Sequence, residues 1–321
     1  MQLGLAQILE ARERIAPFVY RTPVFTCESL DRIYGAIMFF KCENLQRSGS
    51  FKIRGASNAV FSLEEGEASR GVATHSSGNH AAALAKAAAL RAIPCYVVMP
   101  ADAPQVKKRA VEGYGARITY CEPTLKAREE TLKRLLGETG ATFIHPYNDP
   151  RVIAGQGTAA LELLEQVEAL DAVIVPVGGG GLLSGTALTV SARSPETKIL
   201  AGEPQRADDA IRSLREGRIV TPENPDTVAD GLRTSLGSLT FPIIQRLVQS
   251  IFPVSEEAIL EAMRHIWERM KLVVEPSGAV PLAAVKSSGR LLDRKRVGII
   301  LSGGNVDLDR LPFSSPSPGS W

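Results

Sequence analysis

Ser48-Gly49-Ser50-Phe51-Lys52-Ile53-Arg54-Gly55 is the stretch from which the rest of the chain is read. Gly49 and Gly55 stand three residues either side of Lys52, and Ser48 and Ser50 lie just before it. Small residues admit close approach of backbone or ligand, and hydroxyls suit the first turn of a helix, here over residues 53–60. A lysine at such a turn, beside Phe51, loses solvation, which lowers its pKa and frees its amine as a nucleophile. Taken alone, the stretch more often marks an ordinary solvated surface lysine, so its surroundings decide.

Those surroundings alternate. Upstream, residues 3–15 read as a helix stopped by Pro17, Val24-Phe25 as a short extended piece, 29–34 as a helix and 37–41 as a strand. Downstream, strands are expected at 72–74, 96–99, 116–120, 142–144, 172–177 and 198–201. Helices are expected between them at 81–90, 105–112, 124–136, 157–167 and 182–192. Past Glu203 come helices at 207–215, 243–250, 256–270 and 279–287, then a strand at 297–301. Strands separated by helical stretches of about 10–15 residues predict βαβ units and open, twisted, mainly parallel sheets flanked by helices. The strands are short runs of Val, Ile and Ala without alternation, as befits strands covered on both faces. The loop at 221–225 is rich in Pro and Asn, and the Ser/Pro/Gly tail at 314–320 reads as disordered.

Composition narrows the class. The 321 residues are 44% hydrophobic and 22% charged, with a net charge of +2. That length supplies ample core for one large domain or two ordinary ones. The balance gives no footprint for nucleic acid or an anionic membrane, and no apolar run is long enough to span a bilayer. Cys27, Cys42, Cys95 and Cys121 lack CxxC spacing and read as reduced, partly buried thiols of a cytoplasmic enzyme. The first residues carry Glu10, Arg12, Glu13 and Arg14 rather than a signal peptide's apolar core.

Three polar or glycine clusters fall where strands lead into helices, the usual ligand edge of a parallel sheet. They are Ser76-Ser77-Gly78-Asn79-His80, Gly178-Gly179-Gly180-Gly181 and Ser302-Gly303-Gly304-Asn305. Consecutive glycines before a helix turn several N–H groups on one anion, with a dipole end of about +0.5 charge behind them. The loop is neither G-x-G-x-x-G nor a P-loop. An amine nucleophile, a phosphate cradle and a Ser/Asn loop together suggest pyridoxal 5'-phosphate, held as a Schiff base on the lysine.

SGSFKIRGA around Lys52, SSGNH at 76–80, PVGGGGLLSG at 176–185 and LSGGN at 301–305 resemble the fold-type II pyridoxal phosphate enzymes. The fold of that group is tryptophan synthase β-like, and the nearest branch is that of the serine/threonine dehydratases and serine racemases. The resemblance runs from about Ile8 to Leu308. It implies Lys52 as the Schiff-base lysine, Phe51 packed beside the cofactor ring and Asn79 on its 3-hydroxyl. It implies Gly178, Gly179, Gly180 and Gly181, with the Leu182 N–H, around the phosphate, and Ser302 facing the pyridine nitrogen. Ser76, Ser77, Asn79 and His80 would bind the substrate carboxylate, and Arg128 would stand over the substrate pocket. Residues 1–69 and 147–321 would form a large cofactor-binding domain, and 70–146 a small mobile one. Glu203, Ala207 and Asp209 resemble a divalent-cation site for Mg²⁺ or Ca²⁺. A homodimer or homotetramer is implied as well.

His75 and His265 have no HExxH partner, His145 reads as a packing residue, and Glu275 reads as a structural N-cap. The resemblance implies a threonine/serine ammonia-lyase (dehydratase), with serine racemase and 3-hydroxyaspartate dehydratase as alternatives. Lys52 would take the α proton. Ser77 stands where racemases hold a second acid/base, whereas Tyr147 and Thr234 depart from the racemase pattern. No second globular unit follows residue 321, which reads as a catabolic form without feedback control.

Overall fold

The structure is a computed structural model that describes residues 3–76, 78–101, 103, 105–222 and 225–313. Its strands are β1 (Val24–Phe25), β2 (Ile37–Cys42), β3 (Val72–His75), β4 (Cys95–Pro100) and β5 (Arg117–Cys121), followed by β6 (Thr142–Phe143), β7 (Ala172–Pro176), β8 (Lys198–Pro204), β9 (Ser250–Val254) and β10 (Arg296–Leu301). They form a six-stranded sheet, β1-β2-β10-β7-β8-β9, and a four-stranded sheet, β5-β4-β3-β6. Among these strands the β1–β2 pair is antiparallel; the other pairings are parallel, with helices as crossovers.

Both faces of the larger sheet are covered, which is why its strands show no alternation. Ile174 and Leu200 face a core built with Phe40, Ile299 and the helix Pro276–Ser287. Val173, Val175 and Ile199 point the other way, against the helices Pro150–Gln166 and Gly181–Arg193. The smaller sheet packs on Asn79–Arg91, whose alanines let it lie close.

Two expectations need correction. The helix expected at 157–167 begins at Pro150, capped by the Asp149 carboxylate on the Arg151 N–H. Gly155 and Gly157 lie inside it because neighbouring backbones touch there. A Cβ on Gly155 would meet Gly55 Cα at 2.6 Å, and one on Gly157 would meet Gly185 O at 2.9 Å. The helix expected at 243–250 runs instead from Thr240 to Leu247. Ser250–Val254 then pairs with β8 as an edge strand, the one place where Pro253, without an N–H, is tolerated. Ser77 and the tail at 314–320 lie outside the described residues, as do 223 and 224 of the loop at 221–225.

Behind the lysine a buried ion cluster ties β2 to two helices. Arg54 donates to Glu43 through Nε (2.7 Å) and Nη2 (2.8 Å), and to Glu162 through Nη1 (2.8 Å) and Nη2 (2.8 Å). Lys41 also donates to Glu162, and Thr22 Oγ1 to Glu43 at 2.6 Å. Burial alone would penalise every member, but Arg54 holds the Glu43 carboxyl below its ordinary range. Removing one partner strands the others. Arg54→Ala is expected to cost about 3–5 kcal/mol, read as a lower urea midpoint in equilibrium unfolding.

Candidate active site

Lys52 opens the helix Lys52–Phe61 at the carboxyl ends of β2 and β10. The loop before it is stitched to the segment after β10. Phe51 N donates to Ser302 O at 3.0 Å, Gly304 N donates to Gly49 O at 2.9 Å, and Ser50 bridges Gly303. Ser48 and Gly49 take left-handed conformations (φ 61° and 71°) to make that turn. Lys52 Nζ lies 5.1 Å from the Phe51 ring centroid and donates to Pro146 O at 3.0 Å. Burial lowers its pKa to about 8, and the Glu275 carboxylate partly opposes the shift.

The glycine loop follows β7 on the same edge. Its helix starts at Gly181 with no side-chain cap, so the first-turn amides have no intrahelical acceptor. Gly180 sits at φ 84°, and Thr240 Oγ1 holds Gly179 O at 2.8 Å. The Tyr147 ring lies where a Gly179 side chain would go, 2.3 Å from the added Cβ. The result is a backbone nest fitted to a phosphate. Ser302 is buried at the end of β10. Ser48 Oγ and Ser50 Oγ are buried without hydrogen-bond partners beside the lysine, as a site built for a polar guest requires. The residues present therefore fit pyridoxal phosphate.

On the facing side, Gly78 caps the helix Asn79–Arg91, again with no side-chain cap, while Gly78 N donates to Ser76 Oγ at 3.3 Å. Its first amides are open to a carboxylate. The His80 ring turns away to Ile144 O (3.2 Å), and burial holds its pKa down to about 3, so it stands neutral. His145 Nδ1 accepts from Tyr147 N and Asn148 N, at 3.3 and 3.0 Å. Its pKa falls to about 4 through burial and the neighbouring His75 and Lys52 charges. His75 lies edge-on to His145, with centroids 6.2 Å apart. Arg128, on the helix Leu125–Thr139, is near enough to add to the burial that lowers the His75 pKa.

The carboxylates expected to hold a cation are buried together, with Asp209 within electrostatic reach of Tyr147. Glu203 accepts from Ala210 N (2.7 Å) and Ile211 N (2.9 Å), and burial pushes its pKa up to about 9. Neither oxygen of Asp209 accepts a well-formed hydrogen bond, although the Leu236 amide draws on it, and burial raises its pKa to about 7. Among the described residues no three His, Cys, Asp or Glu side chains gather as a metal cluster. A cation here would rely on the two carboxylates with carbonyl and water oxygens, which a hard ion accepts.

Sequence reasoning missed Pro146 and the placement of Glu275 and Asn305. Glu275, read as a structural cap, makes no side-chain cap and instead bonds Asn79 inside the site. A hint was available, since glutamate is a poor N-cap.

A lysine of lowered pKa and an uncapped glycine nest on one sheet edge define a site for an aldehyde cofactor bearing a phosphate. The family described as "Pyridoxal-phosphate dependent enzyme" matches residues 15–303, and the chain belongs to it, within the fold-type II serine/threonine dehydratase and serine racemase group. The chain is 54% identical over 307 residues to a beta-hydroxyaspartate dehydratase of Paracoccus denitrificans (strain Pd 1222), covering 96% of this chain and 98% of that one. The structure of maize serine racemase matches with a TM-score of 0.94 at 48% identity, covering 96% of this chain and 95% of that one. The structure of a T.th. threonine deaminase matches with a TM-score of 0.91 at 49% identity, covering 95% of this chain and 99% of that one.

Capture of the aldehyde needs the neutral amine. With the Lys52 pKa at about 8, the rate of cofactor capture by apoprotein should level off above that pH. Below it the rate should fall about tenfold per pH unit, where an unperturbed lysine would already limit capture below about pH 10.4. Stopped-flow absorption across pH distinguishes the two, and Lys52→Ala should capture none.

Proposed function

We propose that the chain removes water from 3-hydroxy-α-amino acids and releases a 2-oxo acid and ammonia, with 3-hydroxyaspartate preferred over L-serine and L-threonine. The observation that carries elimination is the amine of Lys52, held at 3.0 Å from Pro146 O among histidines that burial keeps neutral.

When bound, pyridoxal phosphate supplies an electron sink for the pair left on the substrate's α carbon. The chain's residues do the rest. Amides opening the helix at Gly181 would hold the phosphate, Ser302 would serve the ring nitrogen, and amides at Asn79 and His80 would hold the substrate carboxylate. Lys52 Nζ takes the α proton, a positioned-base effect of about 10²–10⁴-fold. The β-hydroxyl leaves as water, taking up in the net the proton lost from the α carbon, and a second water hydrolyses the released enamine to the 2-oxo acid and ammonia. The unit at 70–146, which carries β3 to β6, would close over the substrate and exclude bulk water.

The substrate preference rests on charge. Arg128 lies within electrostatic reach of His75, and His75 of His145, so a second carboxylate on the substrate would meet the Arg128 cation beside imidazoles that burial keeps from charging. The likeness to a beta-hydroxyaspartate dehydratase supports the same choice. The likeness to maize serine racemase favours a second reading, in which Ser77 returns the proton to the opposite face. The reading includes a cytoplasmic homodimer or homotetramer, and the cysteines, none in a disulfide and with the Cys42 and Cys95 thiols pushed up to about 12, suit a reducing compartment. No helix among the described residues is long and apolar enough to cross a membrane.

Oxo-acid release from threo-3-hydroxyaspartate should exceed that from L-serine and L-threonine by about tenfold or more in kcat/KM, a difference near ~1.4 kcal/mol. Arg128→Ala should erode that margin while sparing serine. A higher value for threonine would return the preference to a threonine dehydratase, and D-serine forming faster than pyruvate would make the enzyme a racemase.

Ca²⁺ or Mg²⁺ is proposed at Glu203 and Asp209 with the Ala207 carbonyl. A cation about 100-fold above its Kd should add about 2.7 kcal/mol, seen as a rise of several degrees in the thermal midpoint. Asp209→Asn should abolish the rise without removing the cofactor's visible absorption.

A further inference from the structure

Glu275 occupies the N-cap of the helix Pro276–Ser287, but its backbone does the capping. Its carbonyl accepts from Gly278 N at 2.9 Å and Ala279 N at 3.2 Å, and its N–H donates to Gly303 O at 3.0 Å. The side chain, 5% exposed, runs into the site, so close to Gly303 that a Cβ there would stand 2.4 Å from Oε1. Oε1 accepts from Asn79 Nδ2 at 2.7 Å. At the other end of the same amide, Asn79 Oδ1 accepts from Asn305 Nδ2 at 3.0 Å, and Asn305 Nδ2 also donates to Ser48 O at 2.8 Å.

These contacts assign the Asn79 amide. A carboxylate can only accept, and the Asn305 nitrogen can only donate. Flipping Asn79 would set oxygen against oxygen at Glu275 and nitrogen against nitrogen at Asn305, losing both bonds. The amide nitrogen carries two hydrogens, and one is spent on Glu275.

We propose that Glu275 is a positioning residue which, with Asn305, locks the Asn79 amide so that its second N–H, not its oxygen, faces the ring oxygen of the cofactor. The inference rests on the reading of Lys52 and Asn79 as cofactor residues. A donor at that oxygen favours its deprotonated form. Among the described residues, the titratable groups that interact with Lys52 Nζ are Glu275, His80 and His145, and the histidines are neutral, so Glu275 is the charge that opposes the effect of burial on the lysine nitrogen's proton affinity.

The test uses the full chain reconstituted with pyridoxal phosphate, without substrate. Visible absorption is titrated from about pH 6 to 10, bracketing the lowered and ordinary lysine ranges, and cofactor Kd is read by fluorescence. Glu275→Gln keeps an acceptor for Asn79 and removes only the charge. Its Kd should stay within about threefold, while the midpoint of its spectral titration moves to lower pH. Glu275→Ala releases the amide: the visible band should lose intensity to the near-ultraviolet form, and Kd should weaken about tenfold. Asn305→Ala should do the same in part, and the double variant should be no worse than Glu275→Ala.

If Glu275 were only a helix cap, both Glu275 variants would lower the apoprotein's melting temperature and leave band, midpoint and Kd unchanged; that result overturns the inference. Should Glu275→Ala fail to fold, an unmoved midpoint in Glu275→Gln overturns it alone. A wild-type protein that forms no lysine-bound visible band would instead sink the cofactor reading beneath it.

Discussion

Backbone contact among three helices fixes the distance between the lysine and the glycine nest. The helix from Pro150 to Gln166 touches the Lys52 helix where Gly155 meets Gly55, and touches the Gly181 helix where Gly157 meets Gly185. Packed helices normally keep axes about 8–10 Å apart because side chains intervene. Here there is no room for a methyl at either crossing. Lys52 starts its helix just before Gly55, and the nest opens the other just before Gly185, so both ligand-binding ends lie one turn from a pinned crossing. The ion cluster around Arg54 secures the same helix from behind. Its opposing charges are mutually satisfied, which makes it specific in geometry even where its net contribution is small.

A second constraint is electrostatic. The site gathers basic groups and keeps most of them neutral. Burial depresses Lys52, His80 and His145 alike, and charge repulsion from Lys52 lowers both histidines further. The opposing carboxylate, Glu275, is committed to Asn79 and so cannot move to neutralise Lys52 directly. With its pKa at about 8, the lysine keeps roughly a tenth of its population as free amine at pH 7, far more than an ordinary lysine would. Around it lie open helix amides and hydroxyls rather than competing bases. Anions enter such a site at low desolvation cost, because the groups that receive them are fixed dipoles already in place.

Much of this was legible in the chain itself. Strand–loop–helix punctuation placed all three polar or glycine loops at the carboxyl ends of β3, β7 and β10, the edge where parallel sheets take ligands. Other features were hidden for physical reasons. Gly155 and Gly157 look like helix breakers unless the partner backbone is known. β9 was masked by Pro253, whose cost vanishes at a sheet edge. The Arg54 cluster joins residues more than a hundred positions apart, and no local pattern announces a buried ion pair. Glu275 was read from its position at a helix start, which describes its backbone correctly and says nothing of where its carboxylate goes.

Tyr147 links the nest to the buried acid pair. Its ring covers Gly179 and its Cβ lies against Gly181, and its hydroxyl is near enough to Thr234 and Ser235 for them to oppose the burial that raises its pKa. The next residue, Leu236, turns its amide toward Asp209, and the Asp209 charge adds to the burial that raises the Tyr147 pKa. Asn148 extends the same tie through Ser238 Oγ (3.1 Å) and Leu239 N (2.8 Å). The segment at 234–239 therefore lies between Asp209 on one side and Tyr147, over the glycine loop, on the other. Glycines 178–181 cannot define their own conformation, since glycine has the most to lose on ordering. What orders them is Tyr147 against Gly179 and Gly181, with Leu232 against Gly178 and Thr240 and Ile244 against Gly180. A loop chosen for its open amides thus takes its rigidity from side chains borrowed elsewhere in the chain.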